Sequence, residues 1–357
     1  MVATALHIRS LDVDKILSPV SMTAPLDMAY LPVATTFTEN AALAFGLSQP
    51  ETLRLTLAAE ELFSYLSTVS AKKEVVSIVI KGGGYYVQLK LQFKTRNLDL
   101  RFFNLTASLS PDDDQDLETL GLLLASRSVE HFSVKDNAQE GLSLTLTKEK
   151  AYPPSQEPAP EPLPLSDYEV KEANPENLIM ASRLLTTLPQ ADLYPPAFAL
   201  PAKLRDMAAA GDLEVLIARD QAGHVGGVIL WNRLGPKTVR LHGPYIFSQP
   251  LGQDMAAALV EACLARLGKS DAVGVVCLYP PPEMPADYFE PLGTYDFYDP
   301  EGGLQTRPCF YRQLQEDPGG VVWAHPAVHD FLEGIYAELA LARQINPPLP
   351  EDSSRPP

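Results

Sequence analysis

A chain of 357 residues with 46% hydrophobic and 8% aromatic content is long enough for two cores and too apolar for general disorder. Its formal charge of −17 repels polyanions, so neither nucleic acid nor an anionic membrane is an expected partner. Cys263, Cys277 and Cys309 are widely spaced and fit free thiols in a reducing cytoplasm better than a disulfide framework. No signal-peptide pattern and no apolar run of membrane-spanning length is read, so the expected location is cytoplasmic.

The opening residues carry no clear pattern. Asp27–Phe37, DMAYLPVATTF, is β-rich towards its end, and Glu39–Gly46 predicts a short helix ended by glycine. Ser48 is a good N-cap, with Pro50 and Glu51 in the first turn, and Leu53–Val69 is amphipathic. Leu55, Ala58, Ala59, Leu62, Leu66 and Val69 form one apolar stripe, and Leu57, Glu61 and Tyr65 a neighbouring one. Glu74–Ile80 and Tyr85–Phe93, joined by Gly82–Gly84, predict a hairpin. Arg96–Phe103 extends the sheet. The acidic loop Asp112–Asp116 leads into a helix over Leu117–His131, and Phe132–Lys135 and Leu142–Thr147 turn at Gly141 into a second hairpin.

This order of helix, hairpin, loop, helix and hairpin predicts an α+β sandwich, one helical layer on an antiparallel sheet. The stretches LRLTLAAEELFSYLSTVS and LGLLLASRSVEHFSV, each followed by a hairpin, resemble the GHKL ATPase fold over Glu39–Lys150. Its anti-sigma-factor serine kinases are the branch most resembled. In that family a helix glutamate polarises the attacking group, and an asparagine four residues later holds Mg²⁺ on the triphosphate. The glutamate position falls on Glu61, the implied catalytic acid, whose plain alternative is a solvated helix-face carboxylate. The asparagine position falls on Tyr65, whose phenol cannot replace an amide oxygen on a hard cation. The family's Asp-x-Gly adenine box has only the echo of Asn97 and Asp99. Its later glycine box survives as Gly121 and Leu122, implied to face the nucleotide. The resemblance thus implies an ATP site that is weak or lost and does not hold Mg²⁺.

Ala151–Ser166, AYPPSQEPAPEPLPLS, holds six prolines and no helix or strand period. Proline favours an extended path, so this linker reads as a semi-rigid strut, either a tether that sets domain spacing or a solvated hinge, and it can lie along a domain surface. Beyond it, Tyr168–Ala173 predicts a strand and Asn174 caps a helix to Leu188. Pro195–Pro201 breaks the chain before a helix over Ala202–Ala210 that stops at Gly211. Strands follow at Leu213–Arg219, Val225–Asn232 and Thr238–Phe247. A loop then leads to an alanine-rich helix, Met255–Leu267, and a strand, Val273–Tyr279.

The loop reads Gln249-Pro250-Leu251-Gly252-Gln253-Asp254. It is similar to the Gln/Arg-x-x-Gly-x-Gly/Ala signature of GNAT-type N-acyltransferases, and the order of elements resembles that family over Tyr168–Tyr298. There the loop's N–H groups and the helix N-terminus cradle the pyrophosphate of acetyl-CoA. The resemblance implies cofactor contacts at Gln249, Leu251, Gly252, Gln253 and Asp254. Aspartate in the last place departs from the pattern, since its carboxylate repels pyrophosphate and can cap the helix itself. YFEPLGTY resembles the family's late aromatic segment, whose tyrosine protonates the leaving thiolate. Counting from Gly293 puts that position on Phe289, so Tyr288 is the available substitute. Glu214, His242 and Glu290 are all open as general base.

Pro308–Gln313 predicts one more strand after a turn at Asp299–Gln305. Val328–Arg343 predicts an amphipathic helix, and Asn346–Pro357 a disordered tail. His325 and His329 are four apart, but Pro326 and the lack of a nearby thiol or acid pair argue against a metal site. Two domains are therefore expected, a GHKL-like one over residues 1–150 and a GNAT-like one over 167–345. Two functions follow from them. One is a regulatory or signalling protein that answers to a protein partner; the other is a working acetyl-CoA-dependent N-acyltransferase regulated by its N-terminal half.

Overall fold

The structure, a computed structural model, describes residues 18–71, 73–94, 125, 127–137, 141–188, 194–235, 237–249, 252–299 and 303–315. They fall into two compact units, one reaching Tyr152 and one starting at Pro153. Both mix helices with a sheet, five-stranded in the first and seven-stranded in the second. No described helix is long and apolar enough to cross a membrane. The extension at Arg96–Phe103, the acidic loop Asp112–Asp116, His325, His329, Val328–Arg343 and the C-terminal tail lie outside the described residues.

In the first unit, β1 (Val20–Pro25) leads through a short 3-10 turn into α1 (Leu31–Ala44). The strand expected near Phe37 is thus helix. The β-branched run Val33–Thr38 is reconciled with helix by two hydroxyls that bond back one turn, Thr35 to the Leu31 carbonyl and Thr38 to that of Ala34. Small Ala34, Ala41 and Ala42 let the helix approach the core. Gly46, at φ +89°, ends it in the left-handed conformation that glycine adopts without strain.

Helix α2 (Gln49–Val69) opens with the Ser48 N–H donating to Glu51 Oε2 at 2.8 Å. Leu55, Ala58, Leu62 and Leu66 are fully buried, whereas Leu57 is 45% exposed, so only the first predicted stripe faces the sheet. That sheet runs β1-β2-β3-β5-β4 and is antiparallel throughout, with β2 Val75–Gly82, β3 Tyr86–Phe93, β4 His131–Asn137 and β5 Gly141–Glu149. The helix expected to reach His131 stops before it, because that residue opens β4 opposite Thr147.

Ala151–Ser166 adopts neither helix nor strand. Its Ala151 N–H donates to Glu51 Oε1 in the first unit. From Glu157 onward the segment lies on the second unit rather than hanging as a solvated hinge. Arg183 binds the Glu157 carboxylate and the Pro158 carbonyl, both at 2.7 Å, and Leu165 is buried in the core.

The second unit contains β6 (Glu169–Glu172), α3 (Pro175–Leu185), α4 (Pro201–Ala209), β7 (Glu214–Arg219), β8 (Val225–Arg233), β9 (Thr238–Ile246), α5 (Gly252–Leu267), β10 (Gly274–Cys277), β11 (Glu290–Asp299) and β12 (Gly303–Gln313). The strand order is β11-β12-β10-β9-β8-β7-β6, and only β9 and β10 are parallel. Helix α5 makes the crossover between them, the arrangement a parallel pair requires. It packs on one face of the sheet with Leu165, Trp231 and Leu241. Helices α3 and α4 cover the other face over Leu230 and Tyr245. The turn expected over Asp299–Gln305 is shorter, because β11 and β12 pair up to Asp299 and Gly303, giving a strand where only an aromatic segment was expected.

The burial contrast on α2 gives a direct check. Leu62→Ala is expected to destabilise the first unit by about 2–5 kcal/mol, and Leu57→Ala by under about 0.5 kcal/mol, in urea unfolding followed by circular dichroism. Equal losses would show that both stripes face the core.

Candidate functional site

In the first unit, Glu61 and Tyr65 lie one turn apart on α2, both half-buried. The Tyr65 ring packs partly onto the core. A groove of about 700 Å³ lies elsewhere on this unit, between α1 and the start of β1. Among the described residues its lining includes Val20, Val33, Phe37 and Asn40, carries no charged side chain, and does not reach Glu61 or Tyr65. Gly121 and Leu122 lie outside the described residues.

In the second unit, chemistry gathers where the parallel strands part. Strand β9 pairs with β10 only from Thr238 opposite Gly274 to Arg240 opposite Val276. Beyond Arg240 it continues to Ile246 alongside β8 alone, while β10, paired with β12 along its whole length on the other edge, ends at Cys277. Pairing between the two strands therefore has a gap towards their carboxyl ends.

Within that stretch β9 carries a bulge. Gly243 and Pro244 stand opposite the single residue Ile229, because His242 pairs with Leu230 and Tyr245 with Val228. Gly243 has φ +90° and the peptide to Pro244 is cis. An extra residue reverses the alternation of side chains. Val239 and Leu241 face α5, and Ile246 faces it after the bulge, so Arg240, His242 and Tyr245 all fall on the face of α3 and α4.

Polar residues thus line one face at the parting point. His242 is 5% exposed, its ring edge-on to Phe198 at 5.0 Å. Its Nε2 lies 2.9 Å from Asn232 Oδ1, and the Asn232 amide nitrogen donates to the Arg233 carbonyl. The amide oxygen therefore faces the ring, Nε2 carries the proton and donates, and Nδ1 keeps its lone pair. Burial, then the nearby Arg240 charge, hold His242 well below the usual histidine range, so it is neutral at pH 7. Arg240 lies over the Tyr279 ring, 5.5 Å from its centre, reaching from β9 towards the chain just past β10. Tyr245 is edge-on to Tyr194 at 6.2 Å, and burial raises both phenols.

The other two bases considered sit elsewhere. Glu214 begins β7 and binds Arg266 at 2.8 Å beside the far end of α5. Glu290 is exposed at the start of β11. Only His242 stands at the gap. The cysteines offer no nucleophile, since all three are buried, and burial pushes the Cys277 thiol up to about 12 and that of Cys309 to about 11.

Helix α5 starts at Gly252, earlier than its apolar periodicity indicates, directly after the loop that leaves β9. Gly252 is buried under the Gln249 amide; a Cβ there would stand 3.0 Å from Gln249 Nε2. Gln253 and Asp254 are exposed in the first turn. Asp254 is therefore inside the helix and not its cap, which corrects the expectation that it closes the N-terminus. Leu251 lies outside the described residues.

Tyr288 is not brought to this end. Its hydroxyl bonds the Glu261 carboxylate on α5, and this bond raises its pKa. Glu261 is nine residues beyond Gly252, about 13 Å along the helix. The Tyr288 proton is thus held away from both the gap and the helix N-terminus.

No protein-family model matches the sequence, and no curated protein matches it. Solved structures do. The chain is similar to an aminoglycoside 6′-acetyltransferase type Ii, at 14% identity and a TM-score of 0.33, over 42% of this chain and 99% of that one. It is similar to a GNAT-family acetyltransferase from Staphylococcus aureus Mu50, at 12% identity and a TM-score of 0.31, over 42% and 99%. A GNAT-family N-acetyltransferase from Escherichia coli in complex with CoA matches at 19% identity and a TM-score of 0.30, over 43% and 84%.

A histidine kept neutral by burial has a testable cost. The unfolded chain takes up a proton as pH falls below about 6.5, while folded His242 stays neutral to lower pH. Its stability contribution is complete above that value and is lost as pH falls towards the folded pKa, with a slope of at most about 1.4 kcal/mol per pH unit. Urea midpoints of the full chain between about pH 7.5 and 5.5 should fall less steeply in His242→Gln. Identical slopes would mean that His242 takes up its proton over the same pH range folded and unfolded.

Proposed function

We propose that the second unit is an acyl-CoA-binding module of acyltransferase type, and that the chain is a regulatory protein built around it. One observation carries the reading: the parallel pair β9/β10 opens beyond Arg240 and Val276, and the helix joining the two strands begins at the loop that leaves β9. Ligands of open α/β sheets settle beyond the carboxyl ends of strands that part, and anionic groups settle at helix N-termini. A cofactor with a long uncharged arm and a pyrophosphate matches a gap followed by a helix end.

The residues present fit that group, with one charge against it. Buried Gly252 leaves the first turn of α5 approachable, and Gln249 lies over it with amide donors. The backbone at Gly252 and Gln253, with the Gln249 side chain, would hold the pyrophosphate, while exposed Asp254 weakens it by repulsion. The cofactor supplies an acyl group activated as a thioester. The chain supplies orientation and, at His242 Nδ1, a lone pair able to take a proton from an amine, with Asn232 fixing the ring through Nε2.

That His242–Asn232 pair favours the second reading, active N-acyl transfer. Against it stands Tyr288, whose proton is committed to Glu261. For the first unit we propose a partner-binding role without ATP chemistry. Support comes from Tyr65 in the metal-ligand position, its ring partly packed on the core, and from a groove whose lining is uncharged among the described residues.

Coenzyme A binding to the full chain, measured by titration calorimetry, tests the module. Gly252→Val is expected to weaken it by about tenfold or more, near 1.4 kcal/mol, because the side chain meets Gln249. Asp254→Asn should tighten it by about two- to fivefold, the range of one charge at a helix N-terminus. Undetectable binding by the folded wild type would remove the cofactor from this account. Saturating Mg·ATP should leave both thermal transitions of the full chain unmoved, and an upward shift of either would restore a nucleotide site.

A further inference from the structure

We infer that the proline-rich segment is a working part of the α5-end site: its last residues lock the loop that delivers Gln249 and Gly252. This rests on the reading of that end as a site for an organic diphosphate such as coenzyme A.

The lock is a knot of four residues from four parts of the chain. Leu165, at the end of the segment, is 4% exposed and donates its N–H to Ser248 Oγ at 2.7 Å. Ser248, 1% exposed, is the second residue of the loop after β9. The Phe247 and Ser248 N–H groups both donate to the Gly226 carbonyl on β8, at 2.8 and 3.0 Å. Gly226 has no room for a side chain, because a Cβ would stand 2.6 Å from Leu165 Cδ1 and 2.9 Å from Met255 Cε. Met255, one turn into α5, is fully buried in the same cluster.

Contact is continuous from the segment to the site. Leu165 holds Ser248; Ser248 precedes Gln249; the Gln249 amide covers Gly252. Three residues past Leu165, Tyr168 lies close enough to α5 that, after burial, Asp254 and then Glu261 raise its pKa. Upstream, Arg183 clamps Glu157 and Pro158. The segment is thus strapped at two places, and the second strap is the loop itself.

A ligand held by backbone N–H groups and one amide binds well only if those donors are already in place. Freeing Ser248 lets Gln249 sample other positions and lowers affinity without touching the ligand. Coupling of this kind is reciprocal, so coenzyme A should in turn slow exchange of the Leu165 amide. Leu165 and Ser248 are positioning residues. They make affinity at the α5 end depend on how the proline-rich segment lies.

Hydrogen exchange with no ligand present tests the lock apart from the cofactor reading. In the full chain, Ser248→Ala should speed exchange of peptides covering Phe247–Met255 by about tenfold or more, with the α3 and β7 peptides unchanged. Its dissociation constant for coenzyme A should rise by about tenfold. Arg183→Ala, at a surface strap, should act in the same direction by about threefold and serves if Ser248→Ala does not fold. Faster local exchange in a chain whose wild type ignores coenzyme A would keep the lock and discard the cofactor. Unchanged exchange at Phe247–Met255, or unchanged affinity where the wild type binds, would overturn the inference.

Discussion

Strand β9 carries one residue more than β8 across Gly243–Pro244, and that residue decides which side chains share a face. Ahead of it, Arg240 and His242 point to the side of α3 and α4; in an unbulged strand of the same sequence Tyr245 would point towards α5. Just before the bulge β9 also leaves β10. Two local facts, one extra residue and one early end of pairing, thus create a gap with an arginine, a neutral histidine and two tyrosines along one wall. The other wall faces α5, whose first turn is kept low by Gly252.

Charge works in layers at this place. The overall charge of −17 opposes any anionic ligand. The α5 N-terminus supplies a local positive end, which Asp254 partly cancels from a position inside the first turn. Exposure of that carboxylate lets solvent screen it, so the cost is a weakened site and not a closed one. Arg240 is buried beside His242, and its charge adds to burial in keeping the imidazole neutral. Neutral imidazole is the form that can accept a proton.

Much of this was legible in the sequence where a local signal and the tertiary demand agree. Ser48 with Glu51, Asn174 before Pro175, and the glycines at 46 and 211 each announce a helix end by the chemistry that satisfies its backbone. Only the second half of helix α1, within the helix expected over Glu39–Gly46, was legible, since Val33–Thr38 has a strand-like composition that hydroxyl back-bonds and the small faces of Ala41 and Ala42 override. Strand β11 was hidden by Pro291 and Gly293, and its pairing comes from β12.

The start of a helix at Gly252 agrees with its motif, but the choice of His242 over Glu214 and Glu290 as the proposed base was not legible. That choice depends on which strand end each occupies, and on Asn232, ten residues away across a strand pair. The Leu165–Ser248 bond joins residues 83 apart and leaves no local trace. A Gly-Pro pair inside strand β9 was the one available sign of the bulge.

We propose that a coenzyme A-class ligand lies where β9 leaves β10, with its pyrophosphate on the first turn of α5. A crystal structure of the full chain grown with coenzyme A tests it most directly. The account predicts density beyond the Arg240–Val276 pair, leading to Gly252, with Gln249 in contact with phosphate. Coenzyme A bound elsewhere, or a clear map with the gap closed by side chains, would contradict it.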